Sequence, residues 1–284
     1  MLTIYFFCNR PIHGLIFLFK WVSDDYSDGS LLKDHNILGD LFFAKQVINN
    51  ACATQALISI LLNCYHSDLK LGKTLTEFKE FTRYFDSNMK GLSLSNAELI
   101  RNVHNSFARQ QLFEFDGKSK KKDNDVFHFI SYIPFAGRLI EIDGLKEGPF
   151  DLGPIPEGSH WVSVAKPHIE KRMQKYATGE IHFNLMAMVS DLKMVYSRQI
   201  FELQAIETED AKTKIEHLKM LISDEEAKME RYKLENVRRK HNYLPLIIEI
   251  LKELGQQGKL VDIYEKAKQK AVQQKKQKEK KEKS

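Results

Sequence analysis

The stretch Gln46-Val47-Ile48-Asn49-Asn50-Ala51-Cys52-Ala53-Thr54-Gln55 runs straight into Ala56-Leu57-Ile58-Ser59-Ile60-Leu61-Leu62. The second run is too apolar for a helix that shows one side to water, so it reads as a helix buried on most sides. Asn49 and Asn50 are good N-cap residues, because an Asn side chain accepts a hydrogen bond from a first-turn N–H that lacks a helical partner. Cys52 then falls in the first turn of a buried helix. There the positive end of the helix dipole and the free backbone N–H groups favour thiolate over thiol. Gln46 lies upstream, where its side-chain amide can turn back toward the same helix end. Acyl transfer needs a nucleophile of this kind, with donors aimed at a developing oxyanion. A small buried cysteine with no chemical role fits this stretch equally well.

A second pair of segments breaks the tie. Val126-Phe127-His128-Phe129-Ile130-Ser131-Tyr132-Ile133 and Arg138-Leu139-Ile140-Glu141-Ile142-Asp143 are β-branched and aromatic runs separated by Pro134-Phe135-Ala136-Gly137, a hairpin pattern. Closed symmetrically about a four-residue turn, the hairpin sets Ile133 against Arg138 and His128 directly opposite Asp143. Side chains so opposed have Cβ atoms about 4.5–5.5 Å apart. Asp143 can then accept a hydrogen bond from one imidazole nitrogen and leave the other free as a base. A slip of one residue would send the two to opposite faces. A lone strand histidine is usually a satisfied core residue; one braced by a carboxylate, in a chain with a helix-start cysteine, favours a Cys52–His128–Asp143 triad.

These residues also resemble a known family. The segment from Phe42 to Gln55 is similar to the nucleophile motif of the ubiquitin C-terminal hydrolases, papain-like cysteine peptidases of ubiquitin. His128 in Phe127-His128-Phe129 and Asp143 in Glu141-Ile142-Asp143-Gly144-Leu145 match that family's second and third triad members, and Gln46 matches its oxyanion-hole glutamine. The similarity continues through Leu75 to Phe81 and Asn105 to Gln110. The block from Tyr232 to Pro245 resembles the proteasome-associated members with a C-terminal helical extension. The resemblance implies an α+β, papain-like sandwich, a central mainly antiparallel sheet flanked by helices. It implies a thiol-dependent deubiquitinase that uses no cofactor or metal. Partners would be ubiquitin and its conjugates, the ubiquitin-receptor subunit of the proteasome regulatory particle, and a chromatin-remodelling complex, in cytoplasm and nucleus. A ubiquitin-binding scaffold with impaired catalysis, working through its C-terminal helices, is the alternative.

The chain has 284 residues, 43% of them hydrophobic, enough for one sizeable core and a smaller appendage. Cys8, Cys52 and Cys64 form no disulfide framework and no zinc-ligand spacing, and a reducing compartment suits them best. Cys8 and Cys64 read as structural. Met1 to Trp21 is very apolar, but it lacks a basic start, and Asn9-Arg10-Pro11-Ile12-His13 interrupts it before the ~20 residues that a membrane span needs. The chain is expected to be soluble, with Gly14 to Trp21 a buried central strand. Family members carry a first strand and helices where only Met1 to Arg10 stand here. Met1 to Arg10 therefore read either as a truncated or mis-assigned start, or as the start of a compromised hydrolase with an open apolar strand edge and a weakened substrate site.

Ser23 to Asp40 reads as a surface loop, Thr74 to Phe85 and Ser95 to Gln111 as helices, the second capped by Ser93 or Ser95. Asp116 to Asp125 is a polar, charge-dense run that reads as a solvated loop; the resemblance makes it the crossover loop over the active site. Its four lysines among three acids, with no aromatics between them, are a weak nucleic-acid signal. Gly144 to Pro149 reads as a turn-rich loop, Ile169 to Lys175 as a helix and Ile181 to Val189 as a strand. His13, His104, His160, His168 and His182 have no metal-ligand spacing.

From about Leu192 the chain reads as helical. Ile215, Leu218, Ile222, Met229 and Tyr232 make a coiled-coil-like stripe, interrupted at Glu225. Leu244, Ile247, Ile248, Leu251 and Leu254 share one helical face, with Pro245 tolerated in the first turn. Such a face needs a partner, which the resemblance supplies as the proteasome receptor. Lys266 to Ser284 carries nine lysines against two glutamates, so its net +7 exceeds the +5 of the whole chain. Such a tail is usually disordered or a frayed helix, and no specific nucleic acid is implied. The expected organisation is a catalytic domain over 1–206, a helical docking extension over 207–265 and a Lys-rich tail over 266–284.

Overall fold

The structure, a computed structural model, describes residues 10–21, 28–107, 127–176, 183–205 and 208–281. Their strands are β1 (Ile12–Lys20), β2 (Ser30–Leu31), β3 (Phe127–Phe135), β4 (Arg138–Ile142), β5 (Phe150–Pro154) and β6 (Phe183–Val189). Their helices are α1 (His35–Asp40), α2 (Cys52–Asn63), α3 (Gly72–Phe81), α4 (Ser87–Asn96), α5 (Glu98–Ser106), α6 (Trp161–Tyr176), α7 (Leu192–Gln204), α8 (Glu209–Lys240), α9 (Leu244–Gln256) and α10 (Leu260–Lys281). By compactness the chain falls into one unit of residues 1–107 and 118–230 and a second of 108–117 and 231–284.

In the first unit the strands form one antiparallel sheet, in the order β2-β5-β4-β3-β1-β6. β1 is hydrogen-bonded to β3 on one side and β6 on the other. Both its faces are covered, which is why it reads as an unbroken apolar run rather than an alternation. Leu15, Phe17 and Phe19 pack with Ile130, Tyr132 and Leu139 against Trp161, Val162, Ala165 and Ile169 of α6. On the other face, Ile16, Ile133, Ile140 and Ile142 pack against Ala56 and Ile60 of α2. The fit there is close: a Cβ on Gly14 would lie 2.6 Å from Ile60 Cγ2. The expected α+β sandwich, helices on a mainly antiparallel sheet, is the fold observed.

The hairpin register differs from the one expected. Phe135 pairs with Arg138, Ile133 with Ile140 and Tyr132 with Glu141. The turn is only Ala136-Gly137, with φ of 48° and 72°, a two-residue turn whose positive φ values suit the twist of the strands. Pro134 and Phe135 therefore continue β3. The pairing moves by two positions, so His128 stands diagonal to Asp143 rather than opposite it. A shift of two leaves both residues on the same face.

Three local expectations are corrected. The N-cap of α2 is Ala51, with no side-chain hydrogen bond, and Asn50 instead adopts φ 66°, the left-handed conformation that Asn tolerates. Ser95 lies in α4, where its hydroxyl donates to the Gly91 carbonyl at 2.8 Å, and α5 follows Ala97 with no side-chain cap. α4 itself starts at Asp86, whose carboxylate accepts from the Met89 N–H at 2.8 Å. The Ser23–Asp40 segment is not all loop, since it holds β2 and α1. Cys8, the Asp116–Asp125 run and His182 lie outside the described residues.

Ile215, Leu218 and Ile222 of α8 are half-buried, and a Glu225–Lys228 ion pair at 2.9 Å carries their stripe onward, whereas Met229 is exposed. In the second unit, Leu246, Ile247, Ile248, Ile250 and Leu251 of α9 are each 42–56% exposed. Among the described residues, no helix is long and apolar enough to cross a membrane, and no group of three His, Cys, Asp or Glu side chains could hold a metal.

Candidate active site

Cys52 is the first residue of α2, which is held against the sheet by Ala56 and Ile60 and packed on its other side, through Ile58 and Leu62, against Phe42, Ala44 and Phe78. His128 is near the start of β3, beside Phe19 of β1, and is 3% exposed. Asp143 follows the last residue of β4 and is 4% exposed. Having left the ladder, Asp143 can lean across the diagonal to His128. The imidazole Nε2 lies 2.7 Å from Asp143 Oδ1, and the Leu145 N–H donates to the same oxygen at 2.9 Å. Phe19 meets the imidazole edge-on, with ring centroids 5.8 Å apart.

With Nε2 committed to Asp143, Nδ1 is the nitrogen left for the Cys52 sulfur. Burial pushes the Cys52 thiol up, yet a hydrogen bond and charge from His128, with the Phe129 and Ala53 N–H groups, bring it below the ordinary thiol value. Burial pushes His128 down, but the Asp143 bond and the Cys52 sulfur together raise it from 6.5 to about 9. Burial opposes ionisation of Asp143 as well; His128, the Leu145 N–H and Arg172 hold its carboxyl below the usual range. All three shifts favour a thiolate–imidazolium pair braced by a carboxylate. Cys64, at the other end of α2, has no such partner: burial pushes its thiol up.

Gln46 is tied to this site by its main-chain N–H, which donates to the Gly144 carbonyl at 2.8 Å. Its side-chain Nε2 donates to the Ile48 carbonyl at 3.0 Å, and a primary amide nitrogen carries a second hydrogen for another acceptor. Gly144 explains the close approach of the two segments. A methyl group there would collide with the Gln55 side-chain amide, which itself donates to the Ala44 carbonyl, and would crowd Gln46 Cβ at 3.1 Å. Thr54, in the first turn of α2, is 2.7 Å from His104 Nδ1, so α5 braces the start of α2.

Four participants escaped the sequence reading. Gln55 and the Phe129 N–H carry no signal beyond ordinary polarity. Glu141 and Arg172 do: an acid inside Leu139-Ile140-Glu141-Ile142 must be buried with a cation, and Arg172 lies on the apolar face of α6, one turn beyond Ile169. The two pair at 2.7 Å and are 1% and 3% exposed. Of the histidines given no role, His13 Nε2 sits 3.0 Å from Ser190 Oγ and His168 Nδ1 2.7 Å from Asp28.

An antiparallel sheet with helices on both faces, and a cysteine at a helix start turned to a buried imidazole, is the architecture of a papain-like thiol hydrolase. Comparison with known proteins narrows the class. The family model described as ubiquitin carboxyl-terminal hydrolase, family 1, matches residues 2–174, and a second described as ubiquitin carboxyl-terminal hydrolases matches residues 215–260. The chain is 46% identical over 264 residues to ubiquitin carboxyl-terminal hydrolase ubh-4 of Caenorhabditis elegans, covering 93% of this chain and 81% of that one. It is 38% identical to ubiquitin carboxyl-terminal hydrolase isozyme L5 of Dictyostelium discoideum, covering 91% and 84%. Among solved structures, Trichinella spiralis UCH37 bound to ubiquitin vinyl methyl ester matches with a TM-score of 0.62 and 41% identity, over 79% of this chain and 83% of that one. The chain belongs to the ubiquitin C-terminal hydrolase family and is a cysteine-type deubiquitinase.

Proposed function

We propose that the chain cleaves amide and isopeptide bonds at the C-terminal glycine of ubiquitin, with Cys52 as nucleophile, His128 as proton carrier and Asp143 as the group that orients it. The observation that carries this reading is the 2.7 Å bond between His128 Nε2 and Asp143 Oδ1, on the one imidazole that also acts on the Cys52 sulfur. The thiolate adds to the glycine carbonyl, and the oxyanion is held by the Cys52 N–H and the spare hydrogen of the Gln46 amide. The imidazolium gives its proton to the departing amine as the C–N bond breaks. Neutral His128 then takes a proton from water, whose oxygen displaces Cys52 from the thioester. Ubiquitin carrying a vinyl methyl ester at its C-terminus is expected to add one ubiquitin mass to the protein, on the peptide containing Cys52. Absence of that adduct, or its presence on Cys64, overturns the assignment.

The second unit is read as the docking part, and the exposed apolar face of α9 supports this. Isolated surface leucines are ordinary, but Leu246, Ile247, Ile248, Ile250 and Leu251 form a contiguous apolar surface on one short helix. The partner is taken to be the ubiquitin-receptor subunit of the proteasome regulatory particle, placing the enzyme in cytoplasm and nucleus. A charge buried at an interface without a partner is strongly unfavourable. The double change Ile247→Asp and Leu251→Asp is therefore expected to abolish co-purification with proteasomes while hydrolysis of a ubiquitin C-terminal fluorogenic amide persists. Undiminished co-purification would remove α9 from the docking surface.

A further inference from the structure

The charges near the site do not end at Asp143. Glu141, two residues before it, points to the same face of β4 and is 1% exposed. Arg172 of α6 pairs with Glu141 at 2.7 Å. The guanidinium carbon of Arg172 also lies 5.6 Å from the centre of the Phe19 ring, against which His128 packs. Arg172 acts on Asp143 by charge as well, and Asp143 on Glu141. From sulfur inward acidic and basic side chains alternate: Cys52, His128, Asp143, Arg172, Glu141.

A bare Arg172 would be a rival for Asp143. An arginine stays ionised in a protein interior and seeks a planar carboxylate partner. With Glu141 gone, the charge of Arg172 still acts on Asp143, and every gain in that direction weakens the bond to His128. Resting on the functional reading above, we propose that the buried Arg172–Glu141 pair is a positioning device for the reaction: Glu141 occupies Arg172 so that Asp143 stays committed to His128. Arg172 and Glu141 are positioning residues, not catalytic ones.

Two more groups face these charges. Tyr132, paired with Glu141 across the hairpin, favours its carboxylate, and Cys52 faces His128 from α2. Burial and Asp143 push the Glu141 carboxyl up while Arg172 opposes them. Glu141 does its work only while ionised.

The test is the pH profile of Cys52 alkylation by iodoacetamide, read by peptide mass so that Cys64 is counted separately, with kcat and KM for a ubiquitin C-terminal fluorogenic amide. Glu141→Gln keeps the shape and removes the charge. It is expected to move the alkaline limb of the profile down by about one pH unit, the usual effect of one unbalanced neighbouring charge. The expected kinetic result is a fall in kcat of about tenfold with KM little changed, matching one pH unit. Adding Arg172→Met to that variant removes the rival as well and returns the limb to its wild-type place, since removing both members of a buried pair is often tolerated. An unmoved limb in Glu141→Gln, or a double variant no better than the single, overturns the proposal. Should Glu141→Gln not fold, the carboxyl carbons of the wild-type chain decide by NMR: Glu141 is expected to be ionised at neutral pH, and a protonated Glu141 overturns the proposal. A wild type that alkylates as expected but hydrolyses no ubiquitin amide would instead count against the functional reading.

Discussion

Cys52→Ala is expected to remove all measurable hydrolysis of a ubiquitin C-terminal fluorogenic amide, and Gln46→Ala to remove part of it. The difference follows from what each residue supplies. No other described thiol can replace Cys52, because Cys64 sits at the far end of α2 with its thiol pushed up by burial. Without a nucleophile only the oxyanion donors and substrate binding assist attack by water, a residual typically about 10⁶-fold below the intact site. Gln46 is one donor of two, and loss of one such donor lowers kcat by about 10²–10³-fold. Its loss also leaves the Ile48 carbonyl without the bond it accepts at 3.0 Å, so the loop before α2 is expected to loosen somewhat. Circular dichroism should be unchanged in Cys52→Ala, whose side chain is only half-buried. Retained turnover in Cys52→Ala would end the nucleophile assignment, and Gln46→Ala turnover equal to wild type would end that of the donor.

The candidate site is legible because each member carries a local signature. A cysteine before an unbroken apolar run says helix start, and β-branched runs about a Gly-containing turn say hairpin. What a single sequence could not give was the turn length. Ala136-Gly137 closes the hairpin in two residues only because Ala136 adopts a positive φ, which alanine seldom does, so Pro134 and Phe135 read as turn rather than strand. His128 and Asp143 still meet because strand faces repeat every two residues and the register differs by two. The cap failed for a different reason. Asn50 was read from its side chain, whereas the chain uses its tolerance of the left-handed region to redirect the backbone into α2. β5 was missed because its Gly153 and Pro154 mimic a loop. α4 was missed because Ser87-Asn88-Met89-Lys90-Gly91 is too polar to show an apolar stripe, and its strongest signal is the single Asp86 cap. Arg172 and Glu141 are joined only through tertiary contact between α6 and β4, a distance no spacing rule encodes.

Asp143→Asn is the sharper probe of how the site works, because it keeps the shape and changes only charge and proton placement. In the native site the carboxylate accepts from Nε2–H at 2.7 Å and leaves Nδ1 to the sulfur. An Asn amide can turn its NH₂ toward Nε2, which drives the ring proton to Nδ1 and leaves nothing there to receive one. In a serine peptidase the corresponding change lowers kcat by about 10⁴-fold, and a loss of about 10³–10⁴-fold is expected here. The pH dependence should change with it. His128 is held at about 9 against burial first by Asp143 and then by Cys52, so losing the carboxylate lets burial pull the imidazole back toward or below 6.5. The sign for stability agrees. A histidine raised on folding stabilises fully below its unfolded value near 6.5 and loses that contribution as pH rises through about 9. The depressed Cys52 thiol contributes in the opposite sense over the same range, so it is in a Cys52→Ala background that the chain should lose stability between those values by an amount that Asp143→Asn lacks. The thiol, deprived of its imidazolium, returns toward its ordinary range, and the window in which Cys52 alkylates quickly closes from both sides. Urea unfolding in the Cys52→Ala background across roughly pH 6 to 10, with alkylation of the intact Cys52 over the same range, measures both effects. A variant with the wild-type alkaline limb and wild-type stability difference would show that Asp143 neither charges nor orients the imidazole.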